Sequence, residues 1–381
     1  MKTIAHTYCR YSPGVLLDLH NELLKKGRYG SVLLAERYVP NSRELFPRTR
    51  YFYKVPKGDI FHKLDNVISE TPIYRKLIES FYKKMLREEG SSLIHAHFGM
   101  AGCSVMDLAR QLKLPLVVTL YGVDGSFCLK SNQWIPRFKK LFDIADRMIV
   151  LCDEVKNRLV SLGCKEDKVR IWNCLEDVGF YTYSKRPAAG PVNFIIAARF
   201  VEKKGYPLLL NAFARLAKEH GDIRLTIIGY GNGRNEVIKL CQNLGLMDKV
   251  IIVPTDTAPD FSAIYKDHLT KSHIFVLPSI AAKNGDDEGG PALTLIAAQA
   301  AGLPVIATRF PGAERSIIDG KTGVYCDPDP SSVYEKMLYL YERPALWDEI
   351  GSRASAYVKK EFDVGAQVEK IESIYAELLK G

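Results

Sequence analysis

No uninterrupted apolar run in the 381-residue chain approaches the roughly 20 residues that a membrane-spanning helix needs. Residues 1–10 contain no apolar stretch of the kind a secretory leader carries, so no such signal is expected. The eight cysteines (9, 103, 128, 152, 164, 174, 241 and 326) are scattered and never form C-x-x-C. Neither a disulfide framework nor a structural zinc site is indicated. Most lie in or beside apolar stretches and read as small buried hydrophobes in a reducing cytosol. No nucleic-acid-binding module is recognisable, so a nucleic-acid partner is not expected.

What is present is an ordinary globular composition, 47% hydrophobic and 25% charged. At about 100–200 residues per domain, the length predicts two domains or three. The net charge of +9 is unevenly spread. Residues 1–190 hold 31 basic and 20 acidic side chains, and residues 191–381 hold 22 and 24. A basic first half predicts a surface facing something acidic: membrane headgroups, a phosphorylated substrate or nucleic acid.

In the second half, short apolar runs alternate with helical patterns. Strands are predicted at 192–198, 225–228, 250–253, 273–277 and 304–308, with helices at 208–216, 233–244, 259–270 and 292–301. Continuous apolar strands separated by helices mean a parallel sheet covered on both faces. The first half alternates more loosely. Its strands are expected at 3–7, 30–35, 92–96, 115–120, 147–151 and 168–172, with helices at 14–26, 101–112, 134–145 and 153–162. The segment 41–64 is basic and aromatic and suggests no element. Residues 176–191 read as a linker, and 332–381 as helical throughout. The expected division is a first domain at 1–185, a second at 186–360, and a C-terminal helix at 361–381 packing back toward the first. Two α/β domains in tandem predict a cleft between them, with ligands at the carboxyl ends of strands.

Strand ends therefore carry the candidate residues. Arg199 leaves the first strand of the second half, and Lys204 precedes Gly205 before the next helix. A guanidinium, an ammonium and helix-terminal amides suit a diphosphate, although a solvated basic loop has the same appearance. Gly229 and Gly231 follow the second strand. Ser279 follows a later one, and Asp287-Glu288-Gly289-Gly290-Pro291 then leads into a helix. Glycines allow close backbone approach, and Glu288 suits a sugar hydroxyl better than a phosphate, because two anions repel. Glu314 lies in a glycine-containing turn after the 304–308 strand and suits a ribose or base.

Arg199…Lys204-Gly205, Ile228-Gly229-Tyr230-Gly231, Leu277-Pro278-Ser279, Glu288-Gly289-Gly290-Pro291, Ala301-Gly302-Leu303-Pro304 and Asp319-Gly320-Lys321-Thr322-Gly323 occur in one register. In this order the chain resembles the retaining glycosyltransferases of family 4. His95-Ala96-His97-Phe98-Gly99 extends the likeness weakly into the first half. The resemblance implies a GT-B fold: two Rossmann-like domains facing across a cleft, acceptor in the first and sugar donor in the second. It implies a UDP- or GDP-linked sugar as donor, no metal and no other cofactor. Arg199 and Lys204 would hold the diphosphate, and loop 286–291 the sugar.

Two departures stand out. The family's second glutamate, eight positions after the first, falls on Ile296, or on Ala297 with a one-residue insertion. An apolar side chain cannot hold ribose hydroxyls, which leaves Glu314 as a substitute. The family's His-Gly-x-Asp reads Tyr121-Gly122-Val123-Asp124, and a phenol is a poor proton shuttle at neutral pH. Of His95 and His97, one is expected to face the core and the other a cleft, with His97 the functional candidate. No further ligand for a zinc pair is evident.

The basic aromatic stretches 41–58 (Arg43, Arg48, Arg50, Lys54, Lys57, Phe46, Tyr51–Tyr53) and 134–147 (Trp134, Arg137, Lys139, Lys140, Arg147) resemble interfacial segments. The leading expectation is a cytoplasmic enzyme, peripheral on the cytoplasmic face of the membrane. It would glycosylate a glycan or lipid-linked acceptor in cell-surface polysaccharide or lipopolysaccharide synthesis. Competing readings are a sugar-nucleotide epimerase and a catalytically impaired partner subunit.

Overall fold

The computed structural model describes all residues except 12–20, 24, 26, 40–44, 56–70, 174–175, 187–189, 256–260 and 381. Much of the expected 14–26 helix, Arg43, Lys57 and part of the expected linker lie outside the described residues. The chain forms two units, Met1–Leu175 with Val364–Gly381, and Glu176–Asp363.

The first unit contains strands β1 (Thr3–Tyr11), β2 (Gly30–Tyr38), β3 (Thr49–Lys54), β4 (Ser91–His97), β5 (Leu116–Thr119), β6 (Arg147–Val150) and β7 (Val169–Ile171). They form one sheet in the order β3-β2-β1-β4-β5-β6-β7. All neighbouring pairs are parallel. Helices α1 (Pro72–Glu88), α2 (Gly99–Leu112), α3 (Ile135–Ile144) and α4 (Asp153–Ser161) cover it. Thr71 caps α1 by accepting from the Tyr74 amide, and a proline at the helix start removes an amide that would lack a partner there.

Strand β3 occupies part of the segment that the sequence left unassigned. It is an edge strand with an exposed or half-buried pattern, so it has no apolar run. Arg48 and Arg50 both reach Glu89, at 2.5 and 2.9 Å. Phe46 is buried. Helix α3 likewise turns Phe138, Leu141 and Phe142 into the core and leaves Lys139 and Lys140 exposed. Much of the material read as interfacial is therefore committed to the unit's own packing. Among the described residues, no helix is long and apolar enough to cross a membrane.

The second unit contains β8 (Val192–Ala197), β9 (Ile223–Gly229), β10 (Val250–Pro254), β11 (Ile274–Leu277), β12 (Val305–Thr308) and β13 (Val324–Cys326). Their order is β10-β9-β8-β11-β12-β13, again parallel throughout. Helices α5 (Tyr206–Glu219), α6 (Arg234–Asn243), α7 (Phe261–Thr270), α8 (Leu293–Ala300), α9 (Pro330–Tyr341) and α10 (Ala345–Glu361) complete it. The expected unbroken helical tail is three helices, because residues 342–344, with Pro344, interrupt it, and so do residues 362–363. Helix α8 starts at Leu293, two residues after Pro291.

The boundary falls at 175/176 rather than 185/186. Val178 and Tyr181 belong to the second unit's core, and Arg186 donates to the carbonyls of Thr270 and Ala301 at 2.9 and 2.8 Å. The last helix, α11 (Val364–Leu378), belongs to the first unit. There the Tyr375 hydroxyl bonds His95 at 2.6 Å, Trp172 donates to the Gln367 carbonyl at 3.2 Å, and Arg28 pairs with Glu372 at 3.1 Å.

In each sheet the connections run outward in opposite directions from one central strand, β1 in the first and β8 in the second. The crevices open at the carboxyl ends of β1/β4 and β8/β11.

Candidate functional site

In the second unit, the loops after β8 and β11 meet because of a glycine. Gly205 has φ +66°, and a Cβ on it would stand 1.9 Å from the Pro278 carbonyl oxygen. Only glycine lets the two backbones come this close. The short turn Glu202–Lys204 just before it brings two lysines against the later loop. Lys204 Nζ donates to both carboxylate oxygens of Glu288, at 2.6 and 2.8 Å. Ser279 Oγ donates to the same carboxylate at 2.6 Å.

Burial alone raises the Glu288 pKa. The ammonium charges of Lys204 and Lys203, with the bonds from Lys204 and Ser279, outweigh it and hold the carboxyl below the usual glutamate value. The group is a carboxylate at neutral pH, pinned at one end by a cation and a hydroxyl.

Lys203 is the residue that sequence reasoning missed. It is 3% exposed, although a lysine is almost never fully buried without a partner. Its Nζ reaches Asp286 at 3.0 Å and the Asp287 carbonyl at 2.6 Å. Asp287 Oδ1 accepts from the Gly289 amide at 3.0 Å. Asp287 thus shapes the loop from inside. Gly312, at φ +92°, would place a Cβ 2.3 Å from the Gly290 carbonyl carbon, so the loop after β12 lies directly on the Gly290-Pro291 peptide. Glu314 follows in that loop, exposed, with Oε2 accepting from the Gly312 amide at 3.1 Å.

Gly229 would place a Cβ 2.0 Å from the Ala198 carbonyl oxygen, and Gly231, at φ +124°, lies 3.4 Å from Phe200 by the same measure. Both bring the loop after β9 against the loop after β8. Arg199 is exposed at the tip of β8. The structure therefore joins Lys204, Glu288 and Ser279 directly and sets Asp287, Gly289, Gly290 and Pro291 in the same loop. It leaves Arg199 and Glu314 exposed at the same sheet edge. Ile296 and Ala297 are 0% and 1% exposed within α8, in the apolar core.

In the first unit, His95 and His97 are both fully buried, and their rings stack with centroids 4.2 Å apart. The expectation that they face opposite ways is wrong for a geometric reason: residues two apart on a strand share a face. His97 Nδ1 bonds the Tyr121 hydroxyl at 2.7 Å, and His97 Nε2 bonds His6 Nδ1 at 3.0 Å. His95 bonds Tyr375 at 2.6 Å and Thr119 at 2.7 Å.

His6 supplies the third imidazole that the sequence reading lacked, and one nitrogen from each ring lies within 4.8 Å of the others. The donor set does not suit a metal. Both ring nitrogens of His95 and both of His97 are engaged by Tyr375, Thr119, Tyr121 and His6. The cluster reads as a buried hydrogen-bond chain.

Asp124 closes the neighbouring loop. Its two oxygens accept from the Gly99 and Tyr121 amides, at 2.8 and 2.9 Å. Burial pushes its pKa up to about 6, against the pull of those amides. Phe98, between β4 and α2, has φ +74°, a strained conformation for a side-chain-bearing residue. Beside it, at the carboxyl ends of β1, β2 and β4, lies a cavity of about 880 Å³.

Comparison with known proteins gives the family and the fold. The family described as "Glycosyl transferases group 1" matches residues 184–361, and "Glycosyltransferase Family 4" matches residues 15–178. A putative colanic acid biosynthesis glycosyltransferase, WcaL of Salmonella typhimurium, is 29% identical over 231 residues, covering 60% of this chain and 56% of that protein. The chain thus spans little more than half the length of this relative. An uncharacterised glycosyltransferase of Methanocaldococcus jannaschii is 24% identical over 375 residues, covering 97% and 96%. Among solved structures, sucrose-phosphate synthase from Thermosynechococcus elongatus superposes with TM-score 0.79 at 19% identity, over 100% of both chains. HepE of Anabaena, in complex with UDP and glucose, does so with TM-score 0.77 at 15% identity, over 99% and 100%. At such identities the superpositions show the fold alone.

Proposed function

The chain belongs to the family 4 glycosyltransferases of GT-B fold, and we propose that it moves a hexosyl unit, with retention, from a nucleoside-diphosphate sugar to a hydroxyl of a glycan or lipid-linked acceptor. The observation that carries this reading is the Lys204–Glu288–Ser279 cluster at the β8/β11 crevice, where a parallel sheet of this order takes a nucleotide. A relative named for colanic acid and another named for amylovoran biosynthesis support a polysaccharide product. The complexes of HepE with UDP and UDP-glucose support a UDP-linked donor.

In this reading, Arg199 and Lys204 neutralise the diphosphate. Gly229 and Gly231 let it approach the backbone. Glu288, held ionised, accepts from donor-sugar hydroxyls, with the Gly289 and Gly290 amides beside it. Glu314 takes the ribose contact that Ile296 and Ala297 cannot make. The bond from the anomeric carbon to the diphosphate oxygen breaks through an oxocarbenium-like state. Charge grows on the departing phosphate, where the two cations stabilise it. The acceptor hydroxyl attacks the same face and passes its proton to the leaving phosphate oxygen. His97 and Tyr121 order the first unit's crevice, and the basic first unit holds the chain to an anionic membrane surface.

Thermal denaturation with UDP, GDP, ADP and their sugars tests the donor assignment. A ligand at 100 times its dissociation constant adds about 2.7 kcal/mol of stability. The expected result is stabilisation by one nucleotide and release of its diphosphate when an acceptor is added. Stabilisation by none of them removes the donor site and supports the non-catalytic partner reading.

A further inference from the structure

Three successive residues of the turn Glu202–Lys204 each grip a different part of the loop after β11. Glu202 accepts from the Lys283 amide at 3.3 Å. Lys203 Nζ holds Asp286 and the Asp287 carbonyl, and the Lys203 carbonyl accepts from the Ile280 amide at 2.8 Å. Lys204 Nζ holds Glu288. The turn thus sets two cations against three consecutive acids, Asp286, Asp287 and Glu288. The first cation is the more enclosed: the Lys203 side chain is 3% exposed and the Lys204 side chain 12%.

The pairing of Lys204 with Glu288 leaves neither group turned to a donor. A carboxylate has about four acceptor positions, and here three are taken, two by Lys204 and one by Ser279. Lys204 in turn gives two N–H groups to that one carboxylate. A diphosphate carries more negative charge than a carboxylate and draws an ammonium more strongly. Its arrival uncovers Glu288 beside a second anion, and a nearby like charge disfavours an ionised carboxyl. Lys203 is not free to follow Lys204, because its ammonium is engaged twice within the loop and its backbone is tied to the same loop. After Lys204, the Lys203 charge is the next to hold Glu288 ionised. The other charged groups at this sheet edge are placed differently. Arg309 pairs with Asp319 at 3.0 Å, Glu314 accepts from the Gly312 amide, and Arg199 is exposed at the tip of β8.

We propose that Lys203 is a positioning residue that fixes the loop and keeps Glu288 ionised while Lys204 turns from Glu288 to the donor's diphosphate. The incoming diphosphate rests on the donor reading above. The hold of Lys203 on Glu288 does not.

Asp286 is first neutralised by Asp286→Asn, so that a change on removing Lys203 comes from other groups. In that background the full chain is compared with and without Lys203→Met, by urea denaturation and by calorimetric titration with UDP. Without ligand, Lys203→Met is expected to raise the folded pKa of Glu288. The acid limb of the second unit's unfolding then moves up by about 1 pH unit, and it does not move when Glu288→Gln is also present. UDP affinity is expected to fall about 10–100-fold at about pH 8, as loss of a charged partner does. That deficit is expected to shrink at least about threefold by about pH 5, where a protonated Glu288 no longer repels the diphosphate. The ratio of the two affinities cancels the nucleotide's own titration. Lys203→Gln keeps a donor for the Asp287 carbonyl without the charge, and is expected to give the same two shifts. Lys203→Arg is expected to restore both.

A UDP deficit of equal size at both ends of the pH range makes Lys203 a structural support alone and overturns the proposal. So does an acid limb that moves equally in the Glu288→Gln background, or full restoration by Lys203→Gln. UDP binding to the unaltered chain is measured in the same series. If it is absent, the donor reading falls and the exchange at Lys204 falls with it. If it is present and the Lys203 effects are missing, the donor reading stands and this proposal alone is overturned.

Discussion

Lys204 Nζ bridges both carboxylate oxygens of Glu288, at 2.6 and 2.8 Å, across 84 positions of sequence. Their side chains are 12% and 7% exposed, so the pair is nearly dry. Lys204→Ala is expected to lower nucleoside-diphosphate release by about 2–4 kcal/mol of transition-state stabilisation. It also strands a buried carboxylate, at a stability cost of about 3–5 kcal/mol. Lys204→Met combined with Glu288→Gln is expected to recover much of that stability and none of the activity. A double variant no more stable than the Lys204→Met single, by urea denaturation, contradicts the coupling.

Gly205→Ala tests the backbone approach that creates the site. Its Cβ would meet the Pro278 carbonyl at 1.9 Å, in a conformation that disfavours any side chain. The β8 and β11 loops must separate, taking Lys204 from Glu288. Nucleotide affinity is expected to fall at least about tenfold, with the first unit's stability unchanged. Calorimetric affinity equal to wild type refutes this.

Asp124 is expected to make the first unit's stability depend on pH. Its folded pKa of about 6 exceeds the ordinary 3.8, so the folded chain keeps a proton that the unfolded chain releases. Its contribution is full below about pH 4 and declines as pH rises to about 6, by up to about 3 kcal/mol. Asp124→Asn removes that slope. The slope of stability against pH between 4 and 6.5, by urea denaturation, should differ between variant and wild type. Parallel curves count against it.

Glu288 has the opposite sign. Its folded pKa is lowered, so its contribution is present above the ordinary glutamate value and is lost as pH falls through the folded one. Glu288→Gln is expected to flatten the acid limb of the second unit's unfolding below about pH 4.5. An unaltered acid limb would show that Lys204 and Ser279 do not hold the charge in solution.

Tyr375→Phe removes the hydroxyl that bonds His95 at 2.6 Å. A buried ring nitrogen losing that partner costs about 1–3 kcal/mol. The loss is expected in the first unit alone, visible as faster proteolysis of residues 1–175 while 176–363 stay protected. Uniform loss across both units argues that α11 serves a different purpose.

The second unit's strands were legible because a parallel strand buried on both faces is a continuous apolar run, as in Phe194-Ile195-Ile196-Ala197. The edge strand β3, Thr-Arg-Tyr-Phe-Tyr-Lys, has no such run and gave no signal. At the site, Lys204, Ser279 and Glu288 were found by their places after strands, but their mutual contact was not. Lys203 was missed because two adjacent lysines look alike in sequence, and only the fold decides which carboxylate each one meets. His6 was missed because its partner His97 lies 91 positions away, on a non-consecutive strand. The pairing of His95 with His97 was available from the strand's two-residue period.

Helix α11 has a temporal consequence. Glu176–Asp363 is one uninterrupted segment, whereas the first unit is split, with Val364–Gly381 as its closing piece. On the ribosome, Trp172, Arg28 and His95 await Gln367, Glu372 and Tyr375 while the whole second unit is made. At about 5–20 residues per second, that interval lasts about ten to forty seconds. The half synthesised first is therefore finished last, and the face that receives its final helix stays uncovered throughout that interval.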